Sequence, residues 1–380
     1  MWTSTRVAAE ALDRADELAT LRARYALPGG MIRVDGTSGG LRPRSTSARL
    51  REFVEHRWDH TGWPQVDDGL RRQARLAASA VAPLIGALPA EVAVADSTSM
   101  NLFNALRSAA ALRPERRVLA IGRNCFAADH YLARSAADFA GCTLRMVDDV
   151  AELPAQLDEQ VAVLAMSHVD PLSGAVRDAA AITAEAHRHG ALSLWDLSHS
   201  AGAVRVDLRE WEADFAVGCG YRYLGGGSGA PGYSFTSQQR REELAAVQRC
   251  GTSFPAMPPT FAISDLRAGL AALNGATPAA LATKSAGLAT YFLRCLRELP
   301  AGVAPVPVTE GSRGAHVCVT HRHAHYVAQE LLSRGVIVDL AEPTTMRFSF
   351  APTWLRYADV WETADQLRAV LQDLAERVRP

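Results

Sequence analysis

The sequence predicts an α/β fold built on a mostly parallel sheet covered by helices on both faces. Strand and helix patterns alternate along the middle of the chain, and the connections between them are short. At 380 residues and 48% hydrophobic, the chain can bury a large core and divide into two closely associated lobes. In order, residues 5 to 25 read as a charged amphipathic helix, followed by Pro28-Gly29-Gly30 and the turn-rich Asp35-Gly-Thr-Ser-Gly-Gly-Leu-Arg-Pro. A helical pattern covers 68 to 87, and Glu91-Val-Ala-Val-Ala reads as a short strand. Ser97-Thr98-Ser99-Met100-Asn101 then opens a helix to about Leu112. Beyond it come a strand from Val118, a helix from Asp129 to Phe139 and a strand from Val161 to Met166. A helix from Asp178 to His189 is stopped by Gly190, and a strand follows from Ala191 to Trp195.

Charge and cysteine usage exclude several classes of function. The net charge of -1 and the pI near 6.8 supply no field for recruiting nucleic acid or an anionic membrane. The six cysteines (125, 142, 219, 250, 295 and 318) form no C-x-x-C, which argues against a zinc module or a disulfide framework and fits a reducing cytoplasm. Arg6, Glu10 and Asp13 interrupt any apolar leader, and no 18-residue apolar run occurs, so the chain reads as soluble and unexported.

Two places stand out for chemistry. A strand feeding the hydroxyl-rich helix start at Ser97 to Ser99 can hold an anion against free N–H groups, or can be a plain N-cap. Asp196 sits at the carboxyl end of a strand, where open α/β sheets place ligands, with His199 three residues on. That aspartate could pair with a cationic ring nitrogen or shape a turn. A Ser198 or Ser200 triad with His199 and Asp196 lacks a G-x-S-x-G elbow. His321-Arg-His323-Ala-His325 reads as a polar helix start rather than a metal site.

The ordered segments Ser167-His-Val-Asp-Pro-Leu-Ser-Gly-Ala-Val-Arg-Asp, Leu194-Trp-Asp196-Leu-Ser-His199-Ser-Ala-Gly and Asp214-Phe-Ala-Val-Gly-Cys-Gly-Tyr221-Arg222-Tyr-Leu carry a resemblance. Earlier and later matches include Phe126-Ala-Ala-Asp129-His-Tyr, Arg313-Gly-Ala-His-Val, Arg334-Gly-Val-Ile-Val-Asp and Met346-Arg347-Phe-Ser-Phe-Ala-Pro. Together they resemble kynureninase, a fold-type-I pyridoxal-phosphate (PLP) enzyme of the class V aminotransferase superfamily. The resemblance implies a seven-stranded large domain over 30–265, a small C-terminal α/β domain over 266–380 packed with the N-terminal segment 1–29, and a homodimer. It places Phe126 on a cofactor ring, Asp196 at its pyridinium nitrogen, and Thr98 and Ser99 at the phosphate. Asp129, Ser167, His199 and Tyr221 fall on further cofactor-site positions, and Arg347 on the substrate carboxylate.

Departures gather in the same site. Arg222 stands where the imine-forming lysine is expected, and Lys284 is the only lysine among 40 basic residues. A guanidinium stays protonated and cannot attack a carbonyl. The region of Cys250-Gly251-Thr252 lacks an expected tryptophan, Met257 stands near a polar phosphate ligand's position, and Pro171 replaces a tyrosine. Three readings follow. One is an enzyme on a small carboxylate or amino-acid-derived ligand without a lysine-bound internal aldimine, with PLP or pyridoxamine phosphate at most noncovalent. In it Arg222 is an anion clamp, and His199 or Tyr221 the proton carrier. The others are a non-catalytic binding or scaffold protein, and residual kynureninase-type hydrolysis with noncovalent PLP.

Overall fold

The computed structural model describes residues 5–55, 63–148, 152–247, 262–297, 299, 303–308 and 312–377. Seven strands form the large sheet in the spatial order Val92–Val94, Gly232–Thr236, Phe215–Cys219, Leu192–Asp196, Val161–Ser167, Val118–Gly122 and Thr143–Val147. Gly232–Thr236 runs antiparallel to both neighbours, and the other pairings are parallel. The interior strands Val118–Gly122, Val161–Ser167, Leu192–Asp196 and Phe215–Cys219 are buried throughout, as a sheet sandwiched between helical layers requires.

A second sheet, antiparallel throughout, orders Ala304–Pro305, His316–Thr320, Thr345–Ser349 and Asp339–Glu342. Its register sets Cys318 and Asp339 on either side of Arg347. Helix Tyr357–Arg377 packs beside it, and the Asp13 carboxylate accepts the first N–H groups of that helix, from Tyr357 at 2.7 Å and Ala358 at 3.0 Å.

Two sequence expectations need correction. The pattern over 5 to 25 is not one helix: an α-helix covers Arg6–Arg14, and a 3₁₀ turn covers Ala19–Arg24. Asp16 breaks the run, because its carboxylate accepts the Leu18 N–H at 2.9 Å and pairs with Lys284 at 2.6 Å. The helix expected over 68 to 87 covers Trp63–Val81 and ends before Pro83, which lacks a backbone donor. Leu266 and Leu270 of helix Ala262–Ala272 pack one turn apart into the large-sheet core. Ile32–Arg33 pairs with Val336–Ile337, so the chain just after residue 30 is tied to the smaller sheet's side.

Lys284 and Asp16 are both buried, at 6% and 5% side-chain exposure. Removing one member of such a pair strands the other charge. Lys284→Ala is therefore expected to lose about 3 kcal/mol of stability, measured as a lower urea midpoint, with Lys284→Ala/Asp16→Asn recovering part of it.

Candidate active site

The site is assembled at the carboxyl ends of the central strands. Leu192–Asp196 ends in Asp196, and the following turn is closed by Ser200 N–H donating to the Leu197 carbonyl at 2.9 Å, which presents Ser198 and His199. Asp196 Oδ1 accepts the Ser198 N–H at 2.9 Å, so the turn role is realised. Ser167 lies in register beside Asp196 on the next strand, its hydroxyl donating to Cys125 Sγ at 3.5 Å. Strand Phe215–Cys219 delivers Tyr221 and Arg222. Their loop is held by Gly225 N–H to the Arg222 carbonyl at 3.0 Å and Gly226 N–H to the Gly220 carbonyl at 2.9 Å. Phe126 caps helix Ala127–Ala140, whose first turn holds Asp129.

Arg222 is the centre of the cluster and only 7% exposed. Its Nε donates to the Thr37 carbonyl at 3.0 Å and its Nη1 to His199 Nδ1 at 3.2 Å. The guanidinium carbon stands 4.9 Å from the Phe126 ring centroid and 5.5 Å from that of Tyr221, within cation–π range. A guanidinium only donates, so His199 Nδ1 is an acceptor and the proton sits on Nε2. Burial, followed by the charge of Arg222, holds His199 well below its ordinary pKa. The His199 ring stacks on Phe126 at 5.2 Å and 20°, and its other neighbour is His316, 5.2 Å away. His199 Nε2 and both His316 ring nitrogens are buried without a hydrogen-bond partner.

The remaining candidates lie around this core. Arg347 is buried: Nε donates to Asp339 Oδ2 at 3.0 Å, Nη2 also meets that carboxylate, and Nη1 donates to the Pro171 carbonyl at 3.2 Å. Burial keeps the Tyr221 phenol protonated by raising its pKa. Thr98 and Ser99 open helix Thr98–Leu112, with Ser97 as its N-cap through Met100 N–H at 3.2 Å. They make no hydrogen bond to Arg222, His199 or Asp196. Gly232 leaves room beside this turn, since a Cβ there would lie 2.8 Å from the Thr98 nitrogen. Cys250–Thr252 and Met257 lie outside the described residues.

The serine triad is not formed. His199 Nδ1 is taken by Arg222, and Ser200 Oγ instead meets His168 Nδ1 at 2.9 Å. His323 caps helix Ala324–Ser333, and its N–H donates to His321 Nδ1 at 3.1 Å, as the helix-start reading expects. Sequence reasoning assigned no role to Thr37, His316 or Asp339. The one available signal was strand alternation, which puts His316 and Cys318 on one face of the strand that pairs with the Arg347 strand.

Asp129 is pushed up to about 7 by burial and then by the nearby Asp196 carboxylate. A raised carboxyl pKa means the folded state holds a proton that the unfolded chain has released. Its contribution is therefore present below about pH 4 and is lost as pH rises toward 7. Asp129→Asn is expected to remove that loss and to gain on the order of 2 kcal/mol at pH 8 relative to pH 4, read from urea midpoints at the two pH values.

A lysine-bound PLP does not fit these residues. The only lysine is locked to Asp16, and the cation at the strand end is a guanidinium. A ring between Phe126 and His199 would also need about 7 Å between them, two van der Waals layers, against the 5.2 Å present.

The architecture is that of a fold-type-I PLP-transferase-like protein. It superposes on the Escherichia coli cysteine desulfurase CsdA with a TM-score of 0.76 at 18% identity, covering 96% of this chain and 99% of that one. A cysteine desulfurase from Thermococcus onnurineus NA1 gives a TM-score of 0.75 at 18% identity, covering 94% and 98%. Within that class, residues 281–367 match the kynureninase C-terminal domain. The chain is 36% identical to a kynureninase of Pseudomonas fluorescens over 97% of its own length and 96% of the relative's. A Burkholderia pseudomallei kynureninase is 37% identical over 98% and 97%. The chain belongs to the kynureninase family.

Proposed function

We propose that this kynureninase-family protein acts on a small carboxylate or amino-acid-like ligand without a lysine-bound cofactor, with Arg222 in the lysine's place as an anion clamp. The observation that carries this reading is the contrast between the two buried cations. Lys284 is sealed in an ion pair, while Arg222 lies between Phe126, Tyr221 and His199. Arg347 would take the ligand's carboxylate. Three of its five N–H donors are engaged by Asp339 and Pro171, which fixes the plane of the fork and leaves two for a ligand. His199 Nε2–H and the Tyr221 hydroxyl are the groups that would hold or pass a proton.

Asp196, Asp129, Ser167, Thr98 and Ser99 would serve PLP or pyridoxamine phosphate only as noncovalent guests, and no step is routed through either. The reading includes a homodimer in the cytoplasm and no nucleic-acid or membrane partner. No helix among the described residues is long and apolar enough to cross a membrane. The test is an absorbance spectrum with and without added PLP, followed by borohydride treatment and intact-mass analysis. No reducible adduct is expected. A stoichiometric mass increase would overturn the proposal.

A further inference from the structure

Three cations are buried in the described residues: Lys284, Arg222 and Arg347. Lys284 has Asp16 and Arg347 has Asp339, whereas no carboxylate lies within 4.0 Å of Arg222 among the described residues. The Asp196 and Asp129 carboxyl groups are near enough to feel its charge but do not pair with it directly, and a buried charge gains from a directly paired counter-ion. Only two of the five Arg222 donors are engaged, and its Nη2 is neither bonded nor sealed from solvent. Beside it stand three unpartnered imidazole nitrogens, those of His199 and His316. Both histidines feel the charges of Arg222 and Arg347, so the imidazoles lie in the field of both guanidiniums. Thr37 ties the two arginines structurally. Its carbonyl accepts from Arg222, and its hydroxyl meets Ser349 Oγ at 2.9 Å, two residues along the strand from Arg347.

We infer that Arg222, with the imidazoles of His199 and His316, is a second carboxylate subsite, and that the ligand of this pocket is a small dicarboxylate held between Arg347 and Arg222. The inference rests on the carboxylate-ligand reading above and narrows it to a substrate class. His199 Nε2–H is the donor that discriminates an oxygen-bearing group at this end from a methyl group. The nearby carboxyl groups do not oppose a dianion. Burial raises the pKa of both Asp129 and Asp196, so added negative charge is met by a proton on that pair.

The experiment is titration calorimetry of the full chain with succinate and glutarate against butyrate, at constant ionic strength. One dicarboxylate is expected to bind at least about tenfold more tightly than butyrate, the effect of one additional charge-assisted pair. In Arg222→Gln, checked for folding by its thermal transition, the preference should shrink to within about twofold. Equal affinity for mono- and dicarboxylates, no binding of any of the three, or an undiminished preference in Arg222→Gln would overturn the second subsite. Equal mono- and dicarboxylate binding that Arg347→Gln abolishes would leave the broader reading standing, and a borohydride-stable adduct would overturn that reading instead.

Discussion

Arg222→Lys is expected to turn a protein that does not fix PLP covalently into one that does. The substituted amine would sit where a guanidinium now lies against Phe126 and Tyr221, beside a neutral His199. Burial favours its uncharged form, which is the nucleophile that carbonyl addition needs. The shorter side chain also withdraws from the Phe126 face, and an entering cofactor ring would spread Phe126 and His199 from 5.2 Å to about 7 Å. After borohydride the intact mass should rise by one reduced cofactor, with the adduct on the peptide containing residue 222, against no increase in the parent. An Arg222→Lys protein that takes up no cofactor at saturating PLP would show that the rest of the site no longer holds it.

Gly269→Ala is expected to be the most damaging small substitution. Gly269 lies in helix Ala262–Ala272 with the backbone of Leu224 and Gly225 directly against its α-carbon. A Cβ would lie 2.5 Å from the Gly225 carbonyl carbon and would overlap the Leu224 oxygen. Because the obstacle is main chain, no rotamer relieves it, and a loss of about 3 kcal/mol in urea unfolding is expected. The displaced loop carries Arg222, so carboxylate binding should weaken with it. Gly227→Ala is the contrast: the site is open but its φ is +73°, and the expected cost is about 1 kcal/mol from backbone strain alone.

Much of the large sheet was legible because its central strands are uniformly apolar and end at clear turns. Val161 to Met166 and Ala191 to Trp195 are separated by one helix, Ala179–Arg188, whose end signals, Asp178 and Gly190, are plain in the sequence. The strand Thr143–Val147 was missed because it lies at the sheet edge, with an exposed first residue and Arg145 in its middle. The strands Phe215–Cys219 and Gly232–Thr236 carry glycine, which weakens the pattern. In the large sheet Gly218 has its own reason, since a Cβ there would collide with the Tyr233 hydroxyl.

The site divides in the same way. Asp196 and His199 follow from the rule for strand ends, while Arg222 stands out only against the lysine that the family resemblance leads one to expect. Phe126, Asp129 and Arg347 required a family resemblance. Thr37 carried no signal and His316 only its strand alternation, because their significance is created by folding: Thr37 meets Arg222 across 185 residues, and His316 meets His199 across the two sheets. The error over residues 5 to 25 has the same origin. Asp16 reads as one more polar position on a helix until Lys284 arrives from far along the chain.

The sequestration of Lys284 also makes the molecule nearly silent to amine-directed reagents. While the fold is intact, acylating labels, amine cross-linkers and lysine-modifying enzymes would find the one lysine side chain of this sequence withdrawn into its ion pair. Acylation of Lys284 becomes a direct clock for opening of the contact between helix Pro278–Leu296 and the segment around Asp16.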